Sequence, residues 1–192
     1  MPTDRPMRAI FAVDPGGHTG IAWGTFNVTE RNVGDALANR VLAGSTTLEG
    51  DERQQVIDLA ELWHDFFRTA VKKQGLAPNA VELVFEDFTL RPGSHGGGKE
   101  GTSPERISWG FIGYRLGAEA EWRRSHRRTP AYSPQIIWQQ PGDSSAFSAV
   151  GRKKQYRLKD WDVWVVGREH ERSAWSHIAL RIAKIQKANE RQ

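Results

Sequence analysis

The chain of 192 residues contains no cysteine and only two methionines and three tyrosines. Without cysteine there can be no disulfide, no thiolate metal site and no cysteine nucleophile. Apolar runs never approach the roughly 18 residues that a membrane-spanning helix requires. A hydrophobic fraction of 38% with 26% charged residues is typical of a globular protein, and the length fits one domain. We therefore expect a single domain over residues 1–192 that works in the cytoplasm, with no membrane partner.

Hydrophobic patterns predict a mixed α/β fold. Three apolar, β-branched segments come before the first helical pattern, and the first two are joined by the tight turn PGGHTG; they span residues 7–14, 20–28 and 39–48. Helical spacing and strand-like runs then alternate, which predicts helix 51–74, strand 80–88, helix 104–124, strand 131–140 and helix 169–190. The order βββαβαβα, a mixed five-stranded sheet flanked by helices, is typical of the ribonuclease H-like fold. We expect loops at 91–103 and 142–160 and a C-terminal tail at 185–192.

Asp14 is the only acid between Asp4 and Glu30, and it ends the first predicted strand. The following Gly16 and Gly17 allow a sharp turn and a close approach to the carboxylate. An acid in this position is also common in a simple turn. A ligand-binding role therefore depends on partners from elsewhere in the chain.

A second acidic position is the VFEDF segment, in which Glu86 and Asp87 follow four apolar strand residues. Carboxylates at the end of a buried strand are costly unless they are solvated, paired or bound to a metal. Alternation along a strand places Glu86 and Asp87 on opposite faces, so only one of them can point where Asp14 points. Glu86 is the stronger candidate ligand, and Asp87 is a weaker one.

The last predicted helix adds two histidines. His170 and His177 are seven residues apart and lie nearly on one line of the helix, with Ser173 one turn after His170. Asp, Glu and His side chains without cysteine favour Mg²⁺ or Mn²⁺, ions that support phosphodiester hydrolysis. Asp14, Glu86 and His170, with Asp87 as a further candidate, are therefore the expected metal ligands.

Positive charge is concentrated in the second part of the chain. Residues 1–114 carry 11 Lys and Arg against 15 Asp and Glu, whereas residues 115–192 carry 16 against 8. The clusters RRSHRR and GRKKQYRLK carry enough cations to contact several phosphates, although such runs are also common on solvated helix faces. The residues expected to bind DNA are Lys99, Arg123, Arg124, Arg127, Arg128, Arg152, Lys153 and Lys154.

In this order and spacing, FAVDPGGHTGIAW, LVFEDF and HERSAWSHIAL resemble the motifs of RuvC-type Holliday junction resolvases, above all the divergent resolvase-like proteins of bacteriophages that infect actinobacteria. The resemblance covers about residues 8–184. It implies a homodimeric, ribonuclease H-like endonuclease that cuts branched DNA with two Mg²⁺ or Mn²⁺ ions in an intact site, in the cytoplasm of the host cell. It also implies catalytic roles for Asp14, Glu86, His170 and the position of Ser173.

One position departs from that pattern, because the family has an aspartate where this chain has Ser173. A neutral hydroxyl is a poor replacement for a carboxylate on Mg²⁺, so we expect an ion to be lost or weakly bound. Three explanations stay open: an inactivating substitution made on purpose, a natural loss of cleavage, or replacement of the acid by a neighbour. The supporting residues for the last are Glu171 and His177, together with Asp87.

Two other functions are compatible with these motifs. A catalytically dead module that binds branched DNA is favoured by Ser173. An actin-like or sugar-kinase-type ATPase has a similar glycine-rich hairpin, but those proteins duplicate the domain. This chain has no second glycine-rich hairpin of that kind, so the ATPase is the weaker alternative.

Overall fold

The computed structural model describes residues 6–87, 104–125, 135–140 and 169–191, and the side chains of Glu105 and of residues 122–125 are outside that description. These residues form an α/β fold in which a five-stranded, mixed, open sheet is flanked by helices. The strands are β1 (Met7–Asp14), β2 (Thr19–Asn27), β3 (Val41–Leu48), β4 (Val81–Glu86) and β5 (Gln135–Gln139). The helices are α1 (Val33–Ala38), α2 (Glu52–Arg68), α3 (Pro104–Ser125) and α4 (Glu169–Asn189).

The strand order in the sheet is β3-β2-β1-β4-β5. β1, β2 and β3 pair in an antiparallel meander, whereas β1 and β4, and then β4 and β5, pair in parallel. The parallel pairs require crossovers, which pass through helices on the faces of the sheet. As a result, the C-terminal ends of β1, β4 and β5 lie side by side at one edge.

All five predicted strands are present, with ends shifted by a few residues, and the predicted helices are confirmed. The tail expected at 185–192 is wrong for residues 185–189, which continue α4, and the loops expected at 91–103 and 142–160 lie outside the described residues. The helix predicted over 51–74 is α2 followed by a π-helical turn, Thr69–Lys73, and Gly75 has the positive φ of 69° that suits glycine after a helix. The sequence pattern missed α1, which has only six residues and is capped by the side chain of Asn32. Such a short helix shows little periodicity.

Each face of the sheet packs against its own helices. Odd-numbered residues of β1 and β4, such as Phe11 and Phe85, form a core with α2 and α3. Even-numbered residues, such as Ala12 and Val84, form a second core with α1 and α4. We call these the aromatic face and the α4 face. Asp14 and Glu86 continue the even-numbered series and therefore lie on the α4 face.

None of the helices in the described ranges is both long and apolar enough to cross a membrane.

Candidate active site

Two buried carboxylates meet where the central parallel strands end. Asp14 is the last residue of β1 and is 8% exposed, and Glu86 is the last residue of β4 and is 6% exposed. The strands are held in parallel register, with Val13 opposite Phe85, so the next residue of each strand emerges at the same edge. The predicted sharing of one face by Asp14 and Glu86 follows from this register.

Helix α4 brings its first turns over these two acids. His170 Nδ1 lies 3.7 Å from Asp14 Oδ2, which is the distance of an ion pair rather than of a hydrogen bond. One turn later, Ser173 Oγ lies 3.4 Å from Glu86 Oε2, and the hydroxyl donates to this oxygen. The first turns of α4 therefore place His170 and Ser173 against the two acids.

Gly20 makes this close approach possible. It is the residue of β2 that pairs with Asp14, and a Cβ at this position would overlap the carbonyl carbon and oxygen of His170. Only glycine therefore lets the start of α4 lie directly on β2. The sequence predicts that Gly16 and Gly17 leave room for a ligand beside Asp14. Gly20 has a different role, because the space beside it is occupied by the backbone of α4.

The pKa values of the two carboxyl groups are shifted in opposite directions, so Glu86 ionises more readily than Asp14. Burial raises the pKa of Asp14 to about 6; His170 opposes this shift and the Glu86 charge adds to it. Burial also favours the protonated form of Glu86, but hydrogen bonds from His177, Asp14 and Ser173 outweigh it and hold the pKa of this carboxyl below its ordinary value. A proton shared by the pair therefore resides on Asp14. The Asp14 carboxylate, in turn, raises the pKa of the partly exposed His170.

His177 lies entirely inside the protein and joins two strands. Its Nε2 is 3.0 Å from Glu86 Oε2, and its Nδ1 is 2.8 Å from Gln139 Oε1. Glu86 and Gln139 are register partners at the ends of β4 and β5, so the ring contacts both at once. Sequence reasoning identified His177 only as a supporting residue and missed Gln139, because the pairing of β4 with β5 cannot be read from the chain.

Two other predicted residues lie apart from the carboxylate pair. Asp87 Oδ2 accepts a hydrogen bond of 2.7 Å from Gln140 Nε2. Glu171 is buried and accepts hydrogen bonds from Ser45 and Thr47 of β3. The hydroxyls of β3 therefore engage Glu171, whereas Glu86 is contacted by Ser173 and His177.

The residues predicted to bind DNA lie almost entirely outside the described ranges, namely Lys99, Arg127, Arg128, Arg152, Lys153 and Lys154. Arg123 and Arg124 belong to the last turn of α3, but their side chains are outside the description. Their roles in DNA binding stay predictions.

The donor chemistry of the site suits a hard divalent ion, although the protein groups do not form a full ligand set. In the described part of the chain, no three His, Asp or Glu side chains are arranged so that they alone could hold a metal. Mg²⁺ in nucleotide enzymes is commonly held by one or two carboxylates, with phosphate oxygens and water completing the shell. Asp14 and Glu86 fit that pattern, since a cation between them would relieve the repulsion that helps to raise the pKa of Asp14.

An open cavity of about 390 Å³ lies beside His170, and His18 and Thr47 also line it. The His18 and His170 rings are 6.0 Å apart, centroid to centroid. A larger cavity of about 490 Å³ lies between α2 and α3, on the other side of the sheet from the carboxylates. Of these two cavities, the smaller one is lined by a residue of the candidate site, His170.

No protein-family model matches the chain, and no curated protein matches its sequence.

Proposed function

We propose that this protein is a structure-selective endodeoxyribonuclease with a ribonuclease H-like fold, which hydrolyses phosphodiester bonds in Holliday junctions or other branched DNA with the help of Mg²⁺ or Mn²⁺. The observation that carries this proposal is the buried pair of Asp14 and Glu86 at the ends of two parallel strands, with His170 against it. The sheet order is compatible with that fold, and the three motifs that resemble resolvases are the three that meet here.

In this proposal Asp14, Glu86 and His170 hold the divalent ion. Such an ion supplies Lewis acidity to the scissile phosphate and lowers the pKa of an attacking water. The chain itself contributes the fixed placement of its carboxylates, because each ends a strand in the centre of the sheet. Protonation of Asp14 or His170 would compete with the ion, so binding should weaken as the pH falls toward 6.

The DNA partner is supported by charge. Two carboxylates repel a phosphate backbone, whereas the excess of Lys and Arg in residues 115–192 would attract it. A branched substrate and a homodimer follow from the resemblance to resolvases, since a four-way junction presents two symmetric cleavage positions. Because phosphate contacts would dominate, affinity for DNA should fall steeply with salt.

One observation favours a second candidate, a module that binds branched DNA without cutting it. Ser173 donates to Glu86 Oε2 as a neutral hydroxyl, so it contacts the carboxylate without adding the negative charge that a metal-binding aspartate would supply. In a site with aspartate in place of Ser173, a third carboxylate would stand beside Glu86 and strengthen ion binding. We therefore expect the wild-type protein to bind an ion weakly and to cleave slowly.

The test compares the wild-type protein with a Ser173→Asp variant. Each is incubated in Mg²⁺ or Mn²⁺ with labelled four-way junctions, flaps and plain duplex of equal length, and with ATP in a separate reaction. An Ala118→Asp variant adds the same charge at an exposed small residue of another helix, α3, and serves as the control.

We expect cleavage of branched DNA that is at least about tenfold faster in Ser173→Asp than in wild type, and little cleavage of duplex. Tight junction binding without cleavage by either protein would favour the non-cleaving module. ATP hydrolysis without a preference for any DNA would contradict the nuclease and favour the ATPase.

A further inference from the structure

Among the four histidines in the described residues, His177 is the one that is completely buried and bonded at both ring nitrogens. A buried imidazole with a partner on only one nitrogen would be a common core feature. Here each nitrogen faces an oxygen from a different strand, Glu86 of β4 and Gln139 of β5. The ring is therefore fixed both in position and in rotation.

The contact with Glu86 has a defined direction. The Glu86 carboxylate accepts at Oε2, from Ser173 Oγ at 3.4 Å and from His177 Nε2 at 3.0 Å. Both donors lie on α4, one turn apart, so together they fix one carboxylate oxygen against the helix. Rotation of the carboxylate about its last bond would break both contacts, and its other oxygen carries neither of them.

Gln139 completes the arrangement from the sheet. It is 1% exposed, it is the register partner of Glu86, and its side-chain amide lies 2.8 Å from Nδ1 of the imidazole. The Gln139 Nε2 group is buried without a hydrogen-bond partner, and turning the amide lets it donate to Nδ1 while the ring donates from Nε2 to Glu86. In metal sites, groups that hold a ligand in this manner set its orientation, and their removal usually costs 10–100-fold in metal affinity. The imidazole here takes such a place behind a carboxylate rather than on the ion.

We propose that His177 is a positioning residue, whose ring, braced by Gln139, fixes the Glu86 carboxylate in the orientation that binds the divalent cation. This inference rests on the proposed function, because it assigns His177 a task in the same site. It predicts that Nε2 carries a hydrogen that Glu86 accepts.

The test is calorimetric titration of the full chain with Mn²⁺ at neutral pH, for wild type, His177→Leu and His177→Gln. A glutamine can donate from its own Nε2 to Glu86, whereas leucine fills the space without a donor. His64→Leu is the matched control, since His64 is exposed on α2, on the opposite side of the sheet.

We expect His177→Leu to weaken Mn²⁺ binding by about 10–100-fold, His177→Gln to restore most of the affinity, and His64→Leu to leave it unchanged. Unchanged affinity in a folded His177→Leu protein would overturn the inference and leave the proposed function standing. A wild-type protein that binds no Mn²⁺ would overturn the proposed function itself, and the inference with it.

A second measurement does not depend on any variant folding. In wild-type protein labelled with ¹⁵N-histidine, NMR should show one ring whose Nε2 is protonated and protected from exchange with solvent, and Mg²⁺ should shift this resonance. A buried ring with unprotonated Nε2, or one that does not respond to Mg²⁺ while His170 does, would contradict the positioning role.

Discussion

The two faces of the sheet are built from the same strands but differ in chemistry. On the aromatic face, large rings interlock: Phe11 and Trp63 pack edge to face at 5.4 Å, and Phe85 and Phe111 lie 5.9 Å apart. On the α4 face, the strands present one ring, Phe26, beside small residues such as Ala12 and Ala22. The ionisable side chains that are buried in the strands all lie on this second face, namely Asp14, Glu82 and Glu86.

This difference places the candidate site on one face of the sheet and the larger share of the aromatic packing on the other. Large rings bury much area on the aromatic face, whereas small residues and Gly20 let α4 approach the sheet closely on the other. The close approach is what allows side chains of α4 to reach carboxylates on the strands. Substitutions on the α4 face should therefore affect metal binding and stability together near the strand ends, and those on the aromatic face should affect stability alone.

The strongest test of this separation is Gly20→Ala. The added methyl group would overlap the backbone of His170, so α4 must move away from β2. We expect a loss of about 3 kcal/mol or more in the free energy of unfolding, together with a marked loss of Mn²⁺ affinity. Chemical denaturation and calorimetry measure the two effects.

The matched control is Gly117→Ala on α3, where a Cβ would have no neighbour within 4 Å. Alanine has the higher helix propensity, so this variant should be at least as stable as wild type. If Gly20→Ala were as stable as wild type and bound Mn²⁺ with the same affinity, the close approach of α4 to β2 would be required for neither stability nor metal binding.

A second substitution tests whether every buried charge on the α4 face serves the site. Glu82 accepts two hydrogen bonds from Arg181, at 2.7 and 2.9 Å, away from the strand ends. Glu82→Gln should cost about 3 kcal/mol of folding free energy, because the guanidinium loses its counter-charge. Affinity for Mn²⁺ should not change, and Glu61→Gln, on the exposed side of α2, should change neither quantity.

A third prediction concerns pH in metal-free buffer. The pKa of Asp14 is about 6 in the folded protein against 3.8 ordinarily. The contribution of protonated Asp14 to the free energy of unfolding is therefore fully present below pH 3.8 and is lost as the pH rises through 6. Asp14→Asn lacks this titration and should gain about 2 kcal/mol relative to wild type between pH 4 and 7. Denaturation midpoints across that range measure the effect.

Asp87→Asn is the matched control, because Asp87 is bonded to Gln140 rather than to the buried pair. Its stability should follow that of the wild-type protein at every pH. A parallel pH dependence of Asp14→Asn and wild type would show that Asp14 is not held in the unfavourable environment described here.

The smallest effect is expected on the aromatic face. Phe11 contacts Trp63 and Phe66 in the core, and Phe11→Leu removes the ring contacts while filling most of the space. A loss of about 1 kcal/mol is expected from denaturation, with no change in Mn²⁺ affinity. A drop in Mn²⁺ affinity comparable to that of the α4-face variants would contradict the claim that substitutions on the aromatic face affect stability alone.

Much of this architecture could be predicted from the sequence, because it follows from periodicity. Strand alternation placed Glu86 and Asp87 on opposite faces, and helical spacing aligned His170 with His177. The contacts that depend on register could not be predicted. Gln139 meets His177 only because β5 pairs in parallel beside β4, and Gly20 is required by a helix that begins about 150 residues later. Glu171, considered as a replacement ligand, instead accepts from hydroxyls on β3, which is a long-range pairing of the same kind.

The most direct test of the central claim is junction cleavage in Mn²⁺ by Ser173→Asp, compared with the same protein that also carries Asp14→Asn. If the α4 face holds the catalytic ion, the single variant should cut a labelled four-way junction, and adding Asp14→Asn should abolish cleavage while junction binding persists. Equal cleavage by the two proteins would contradict the account, because the reaction would then proceed without the carboxylate on which the site is built.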